Sequence, residues 1–341
     1  MINAAIVGLG WWGKTLVESL ADGGDAIRFV AGATRTMSAE AEAFAKQHGL
    51  RLVASYEALL ADPNIDAVVL ATPPLGHMAQ VSAAAVAGKH VFCEKPFTLG
   101  RQDAEAAVAA VRKAGVTLAL GYSRRFHPEM TKLRERVRSG GLGTIMHVEA
   151  TMTVPNALFL KPAAWRANRA EAPCGGLTPL GVHAIDGMID LCGEIDQLYC
   201  QSFRRAVEVE TDDTTSVLFR MQNGASGYLG TMMATGPGFS FQVFGSKGWV
   251  RLEGMTHVAG ASSEERRTRL FGACKFQPVK GDAEVWQADK LDITRACLEA
   301  FATAASGGPA FPISHGEMIH GAAVTEAVVR SAASGRVERV G

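Results

Sequence analysis

Three glycines at fixed spacing, Gly8-Leu9-Gly10-Trp11-Trp12-Gly13, follow the apolar run 4–7 and open a stretch, 14–21, with helical spacing. Few short patterns restrict a fold more. Between a first strand and a first helix, the first glycine allows a tight turn and the third lets helix and strand approach closely. The second lets a bound group come up against the backbone. The helix N-terminus behind it favours negative charge, so the pattern suits the pyrophosphate of a dinucleotide.

The segments downstream keep the same rhythm. Strand signals at 27–33, 66–71, 88–93 and 116–120 alternate with helical patterns at 39–48, 78–87 and 103–114. Such alternation predicts a parallel sheet covered by helices on both faces. After about residue 122 one helix, 128–138, is followed by strands at 144–153, 197–203, 214–221, 226–231, 239–244 and 249–253. Asn223-Gly224 marks a hairpin. This half is expected to form a mostly antiparallel sheet, with helical pattern returning from 292 to 335. The predicted division is a dinucleotide-binding domain, 1–122, and a substrate-binding and oligomerisation domain, 123–341. The fold class is α/β followed by α+β.

The chain has 341 residues, 34 basic and 34 acidic. That balance argues against nucleic acid or an anionic membrane as the main partner. The N-terminus reads as a strand, not a signal peptide, and no apolar run reaches the ~18 residues of a membrane span. Six cysteines without C-x-x-C or zinc spacing suggest buried thiols of a reducing compartment. A cytoplasmic protein without a metal is expected.

About 20 residues beyond the glycines, a carboxylate normally binds the ribose hydroxyls of NAD. Here the strand ends in Thr34-Arg35. A hydroxyl and a guanidinium suit a 2′-phosphate, so NADP(H) is expected over NAD(H), which remains possible. Glu94-Lys95-Pro96-Phe97 closes the strand before it, where open α/β sheets bind ligands. Lys95 is then a candidate to handle a proton while the cofactor handles a hydride; a surface lysine in a turn is the other reading.

In chain order, the glycine triplet, Ala71-Thr72-Pro73-Pro74 with His77, Gly88-Lys89-His90-Val91, Glu94-Lys95-Pro96, Gly121-Tyr122-Ser123-Arg124-Arg125-Phe126, Trp165-Arg166 and Gly181-Val182-His183-Ala184-Ile185-Asp186 resemble the Gfo/Idh/MocA oxidoreductases. The resemblance implies an N-terminal Rossmann domain and a C-terminal domain whose open-faced sheet forms homodimers or homotetramers. It implies a small-molecule substrate among sugars, polyols and related cyclic hydroxy compounds, with hydride transfer at a carbinol or ketone carbon. It puts Lys95 and His183 in the catalytic positions. Relatives often carry an aspartate four residues before that histidine; this chain has Pro179 there. Whether Thr178 or Asp186 takes over that role is left open.

The cofactor is expected to meet Gly8, Gly10, Trp11, Trp12, Gly13, Thr34, Arg35, Thr72, Pro73, His77, Glu94, Lys95 and Pro96. Tyr122, Arg124, Trp165, Arg166, Thr178 and Asp186 are the substrate-side candidates, with specificity placed in loops 154–174 and 255–290. The basic run Arg134, Arg136 and Arg138 reads as a solvated face. Two rival functions share the scaffold: an NAD(P)-dependent lyase or hydrolase with no net redox change, and a dinucleotide-sensing regulator.

Overall fold

The computed structural model describes residues 1–255, 262–268 and 270–341. They group into two compact units, Met1–Ser123 with Asp292–Ile319, and Arg124–Leu291 with His320–Gly341.

The first unit starts with β1 (Ile2–Val7), α1 (Trp11–Glu18), β2 (Ile27–Ala33), α2 (Ala39–Gln47), β3 (Arg51–Leu52) and α3 (Tyr56–Leu60). It continues with β4 (Ala67–Leu70), α4 (His77–Val86), β5 (His90–Cys93), α5 (Arg101–Ala114) and β6 (Leu118–Leu120). The six strands are parallel and ordered β3-β2-β1-β4-β5-β6. Strand order therefore reverses between β1 and β4, the point at which such sheets bind ligands. Central strands are apolar on both faces: Ala67, Val68, Val69 and Leu70 of β4 are all fully buried. Each large apolar side chain buried in this way contributes about 1.5–3 kcal/mol. Helix boundaries follow local chemistry. Ser38 caps α2 by accepting from the Ala41 amide, and Glu40 and Glu42 occupy its first turn.

One ladder matters most for function. The Ala71 amide donates to the Val7 carbonyl (2.8 Å), Glu94 to Leu70 (2.9 Å) and Gly121 to Cys93 (2.9 Å). The residues just past β1, β4, β5 and β6 are thus held side by side along the carboxyl edge of the sheet.

The second unit contains α6 (Pro128–Arg138), β7 (Ile145–Thr153), α7 (Gly181–Cys192), β8 (Ile195–Phe203), β9 (Thr214–Met221), β10 (Ser226–Met232), β11 (Gly238–Gly245) and β12 (Gly248–Gly254). It closes with α8 (Ser263–Thr268), β13 (Phe271–Pro278) and β14 (Glu284–Gln287). Of the last helices, α9 (Ile293–Ala305) packs on β2 and β5 of the first unit, while α10 (His315–Ser334) leads into β15 (Glu338–Arg339), which pairs with β8. The nine strands are ordered β14-β13-β12-β11-β7-β10-β9-β8-β15. Only β7 and β10 pair in parallel; every other pair is antiparallel.

Alternation along the strands buries one face, with Val148, Ala150, Met152, Val217, Phe219, Leu229, Phe241 and Val243 inward. Helix α7 packs against β7 and β10. Elements that the sequence pattern does not show include β13 and β14. Phe271, Cys274 and Phe276 are the buried residues of β13, a broken alternation that matches the register shift opposite Gly254. Loop 255–290 therefore contains two strands of the sheet; residues 256–261 and 269 of it lie outside the described residues.

Candidate active site

The glycine turn has the conformation its spacing requires. Gly8 has φ +97°, and a Cβ there would lie 2.7 Å from the Ala71 carbonyl oxygen. A Cβ on Gly13 would lie 1.9 Å from the Gly8 carbonyl oxygen, so α1 and β1 can approach this closely only without it. Gly10 is different: nothing stands within 4 Å of its would-be Cβ. Gly10 is also the N-cap of α1, makes no side-chain cap bond, and the first turn holds no acidic residue. Gly10 thus offers the first turn of α1 no capping side chain, and no acidic residue stands in that turn, beside a space that a Cβ would enter. That arrangement fits a dinucleotide pyrophosphate.

Beyond β2, Thr34 is half-buried and Arg35 exposed. The next carboxylate, Glu40, is ion-paired with Lys14. Lys14 also lies over the Phe44 ring at 5.5 Å, so the pair ties α1 to α2.

Past β4, the Thr72 hydroxyl donates to Gln80 Oε1 (2.6 Å), and Pro73 leads into a short 3-10 turn, Pro74–Gly76. His77 is fully buried. Its Nδ1 faces the carbonyl oxygens of Pro96 (2.9 Å) and Phe97 (3.1 Å), and its Nε2 faces that of Thr72 (2.9 Å). Burial lowers its pKa while the three carbonyls act to raise it. His77 thus joins the loop after β4 to the loop after β5. Its neighbour Gln80, which also accepts the Tyr56 hydroxyl on its backbone carbonyl (2.7 Å), has no signal in the sequence.

Past β5, Glu94 is buried, and desolvation raises its carboxyl pKa against the opposing charge of Lys95. The Lys95 amide donates to Glu94 Oε2 at 3.2 Å. Lys95 itself is half-buried and is followed by a cis peptide bond to Pro96. A Cβ at Gly121 would come within 2.5 Å of Glu94 Oε1. Glycine at the end of β6 therefore makes room for the carboxylate preceding the lysine. Tyr122, next in the chain, is 6% exposed. The structure so brings together Gly8 to Gly13, Thr72, Pro73, His77, Glu94, Lys95 and Pro96 on one edge of one sheet.

In the second unit, His183 is half-buried in the first turn of α7, and Asp186 lies one turn on. The Asp186 carboxylate takes a two-pronged bond from Arg125 (2.9 and 2.8 Å), with both side chains almost wholly buried. Arg125 also lies 3.5 Å from Asp190, and Arg134 pairs with the same carboxylate at 2.6 Å. The basic run on α6 is therefore a solvated face only at Arg138, which is exposed. Arg134 joins a buried network, and Arg136 stacks over Phe276 at 3.9 Å, because α7 and β13 supply partners that spacing along α6 does not reveal.

Thr178 is 1% exposed, and its hydroxyl has no hydrogen-bond partner among the described residues. Trp165 starts a 3-10 turn, with the Arg166 guanidinium 4.1 Å from its ring; burial lowers Arg166 to about 10. Arg124 is buried against Met152 and Phe239. Among the described residues no group of three or more His, Cys, Asp or Glu could hold a metal, and no helix is long and apolar enough to cross a membrane.

The glycine turn and the nine-stranded sheet agree with comparisons to known proteins. Residues 2–122 match the model of the Gfo/Idh/MocA oxidoreductase family, NAD-binding Rossmann fold, and residues 130–251 match the C-terminal domain of the same family. The rhizopine catabolism protein MocA of Rhizobium meliloti is 30% identical over 72% of this chain and 69% of its own length. The chain belongs to the Gfo/Idh/MocA oxidoreductase family. Its N-terminal domain is thereby an NAD(P)-binding Rossmann domain.

Among other family members, the 1,5-anhydro-D-fructose reductase of Ensifer adhaerens is 36% identical over 44% of this chain. The chain spans 46% of that reductase and 61% of the oxidoreductase YrbE of Bacillus subtilis, less than two thirds of either. Of solved structures, the aldose-aldose oxidoreductase of Caulobacter crescentus superposes with a TM-score of 0.85, 24% identity, and coverage of 99% of both chains, which shows the shared fold.

Proposed function

We propose that this protein is an NADP(H)-dependent dehydrogenase or reductase acting at a carbinol or ketone carbon of a sugar, polyol or related cyclic hydroxy compound. The observation that carries the reading is the single carboxyl edge described above. A helix N-terminus with glycine at its N-cap, at a turn that only glycine can make, stands on the same edge as a half-buried lysine with a buried carboxylate behind it. The named activity of the anhydrofructose reductase supports the sugar-like substrate.

When bound, the nicotinamide supplies or accepts the hydride. The remaining work falls to side chains. Gly8 to Gly13 would hold the pyrophosphate. Thr34 and Arg35 would hold a 2′-phosphate, since no carboxylate follows β2 until Glu40, which Lys14 already occupies. Trp11 and Trp12, 5.3 Å apart edge to face, would flank the phosphate turn, and Thr72 with Pro73 the loop opposite. His77 would serve the cofactor indirectly by pinning the loops that carry Thr72 and Pro96. Lys95 would exchange the proton with the reacting oxygen; the Glu94 carboxyl behind it favours its charged form, and a positive ring nearby would oppose that. His183 would be its partner.

With Pro179 in the aspartate's place and Asp186 consumed by Arg125, Thr178 is the residue left to accept a substrate hydroxyl. Tyr122, Trp165 and Arg166 would complete the substrate site. The domains would run 1–122 and 123–341, with α9 returning to the first. The outer sheet face, bearing Leu218, Phe244 and Trp249, would pack against a second copy.

The test is a panel of sugars and polyols with NADP+ or NAD+, read by absorbance of the reduced nicotinamide. Turnover with a kcat/KM at least tenfold higher for NADP+ supports the assignment. Equal or better use of NAD+ removes the NADP claim, and conversion of substrate without stoichiometric nicotinamide reduction removes the dehydrogenase claim.

A further inference from the structure

We propose that the substrate carries a carboxylate and that Arg124 is the group that receives it; this deepens, and rests on, the oxidoreductase reading above. Two adjacent arginines have opposite surroundings. Arg125 is neutralised by Asp186 and Asp190. Arg124 is equally hidden, at 7% exposure, yet its contacts are the Met152 sulfur at 3.3 Å from Nη1 and the Phe239 ring at 4.8 Å. No carboxylate among the described residues pairs with it, and residues 256–261 and 269 contain no aspartate or glutamate.

A guanidinium taken out of water without a counter-ion is costly, because neither a thioether nor a ring face replaces the hydration of a full charge. Burial indeed pushes Arg124 down to about 9, which still leaves it charged at neutral pH. A fold that has carboxylates for Arg125 and Arg134 but none for Arg124 leaves one fork of donors for something that is not protein. Arg166 repeats the pattern in the same unit. It is half-buried and stacked on Trp165, and no carboxylate among the described residues pairs with it.

The chemistry selects the ligand class. A planar carboxylate matches one guanidinium through two parallel N–H···O bonds and needs one positive charge. A phosphate dianion would call for more than the single positive charge of Arg124, since Met152 and Phe239 beside it are uncharged. A hydroxy acid of the aldonate or uronate type meets both demands, offering a carbinol carbon for hydride transfer and a carboxylate for Arg124.

The experiment compares matched pairs: D-glucitol with D-gluconate, D-glucose with D-glucuronate, and D-galactose with D-galacturonate. Binding is measured by calorimetry on the cofactor-loaded protein, and turnover separately by nicotinamide absorbance. In at least one pair the acid should bind at least tenfold more tightly than its neutral partner. Arg124→Met should erase that preference while leaving cofactor affinity unchanged, and Arg124→Lys should keep part of it. The proposal is overturned if no acid is preferred, or if the preference survives in Arg124→Met. Turnover of neutral members without acid preference defeats this proposal alone. Arg124-dependent acid binding with no nicotinamide turnover leaves the site standing and defeats the oxidoreductase reading instead.

Discussion

Alanine substitutions at Gly10 and Gly13, three residues apart, should fail in different ways. At Gly10 the backbone sits at φ −68°, ψ 178°, a region open to alanine, and nothing lies within 4 Å of the new methyl. Gly10→Ala should therefore keep or gain stability, by up to about 0.4–1 kcal/mol through the unfolded state. Its methyl would nevertheless stand where the backbone must meet a pyrophosphate. Dinucleotide affinity should fall at least tenfold, or about 1.4 kcal/mol. At Gly13 the methyl would sit 1.9 Å from the Gly8 carbonyl oxygen, which cannot rotate away as a side-chain tip would. Moving that turn should cost roughly 1–3 kcal/mol or more, so Gly13→Ala should lose both melting temperature and cofactor binding. Thermal unfolding without ligand, with calorimetric titration of NADPH, reads both quantities. A Gly10→Ala protein that binds NADPH as the parent does would refute the placement of the phosphates.

Three further outcomes follow from the same geometry. Arg35→Ala should raise KM for NADPH at least tenfold while leaving that for NADH within about twofold, since a lost phosphate contact affects only the phosphorylated cofactor; equal changes in both would count against the 2′-phosphate site. His77→Ala should lower stability by about 2–4 kcal/mol in urea unfolding, because it leaves a cavity and strips partners from the carbonyls of Thr72, Pro96 and Phe97; a loss under about 0.5 kcal/mol would show that the loops hold themselves. Burial acts to raise the Asp213 pKa, but the amides of Ala206, Arg205 and Val207 and the Thr214 hydroxyl hold it below the usual value. A carboxyl depressed on folding contributes stability that is present above its unfolded pKa, near 3.8, and lost as pH falls through its folded pKa. Asp213→Asn should flatten the acid limb of the stability–pH curve, and an unchanged limb would exclude this carboxylate as its source.

The legible parts of this chain are those written locally. Glycine spacing, the all-apolar run of β4 and the hairpin at Asn223-Gly224 depend on neighbours in sequence, and the parallel first sheet and mostly antiparallel second sheet follow from such local patterns. The fates of Asp186 and the α6 arginines were not legible. An aspartate three residues from a histidine looks available until Arg125, 61 positions away, is folded against it. Glu94 and Gly121 show the same limit, because the need for glycine at 121 arises only when β5 and β6 lie side by side. Strand β13 escaped because its buried residues break the two-residue period at a register shift.

The central chemical step is proton transfer by Lys95. Turnover of Lys95→Ala, at saturating substrate and cofactor and with cofactor affinity shown to be unchanged, measures it directly. General acid–base catalysis contributes about 10²–10⁴-fold, and kcat should fall by that factor. A fall of less than about tenfold, with His183→Ala abolishing turnover, would contradict the claim and move the proton chemistry to the histidine.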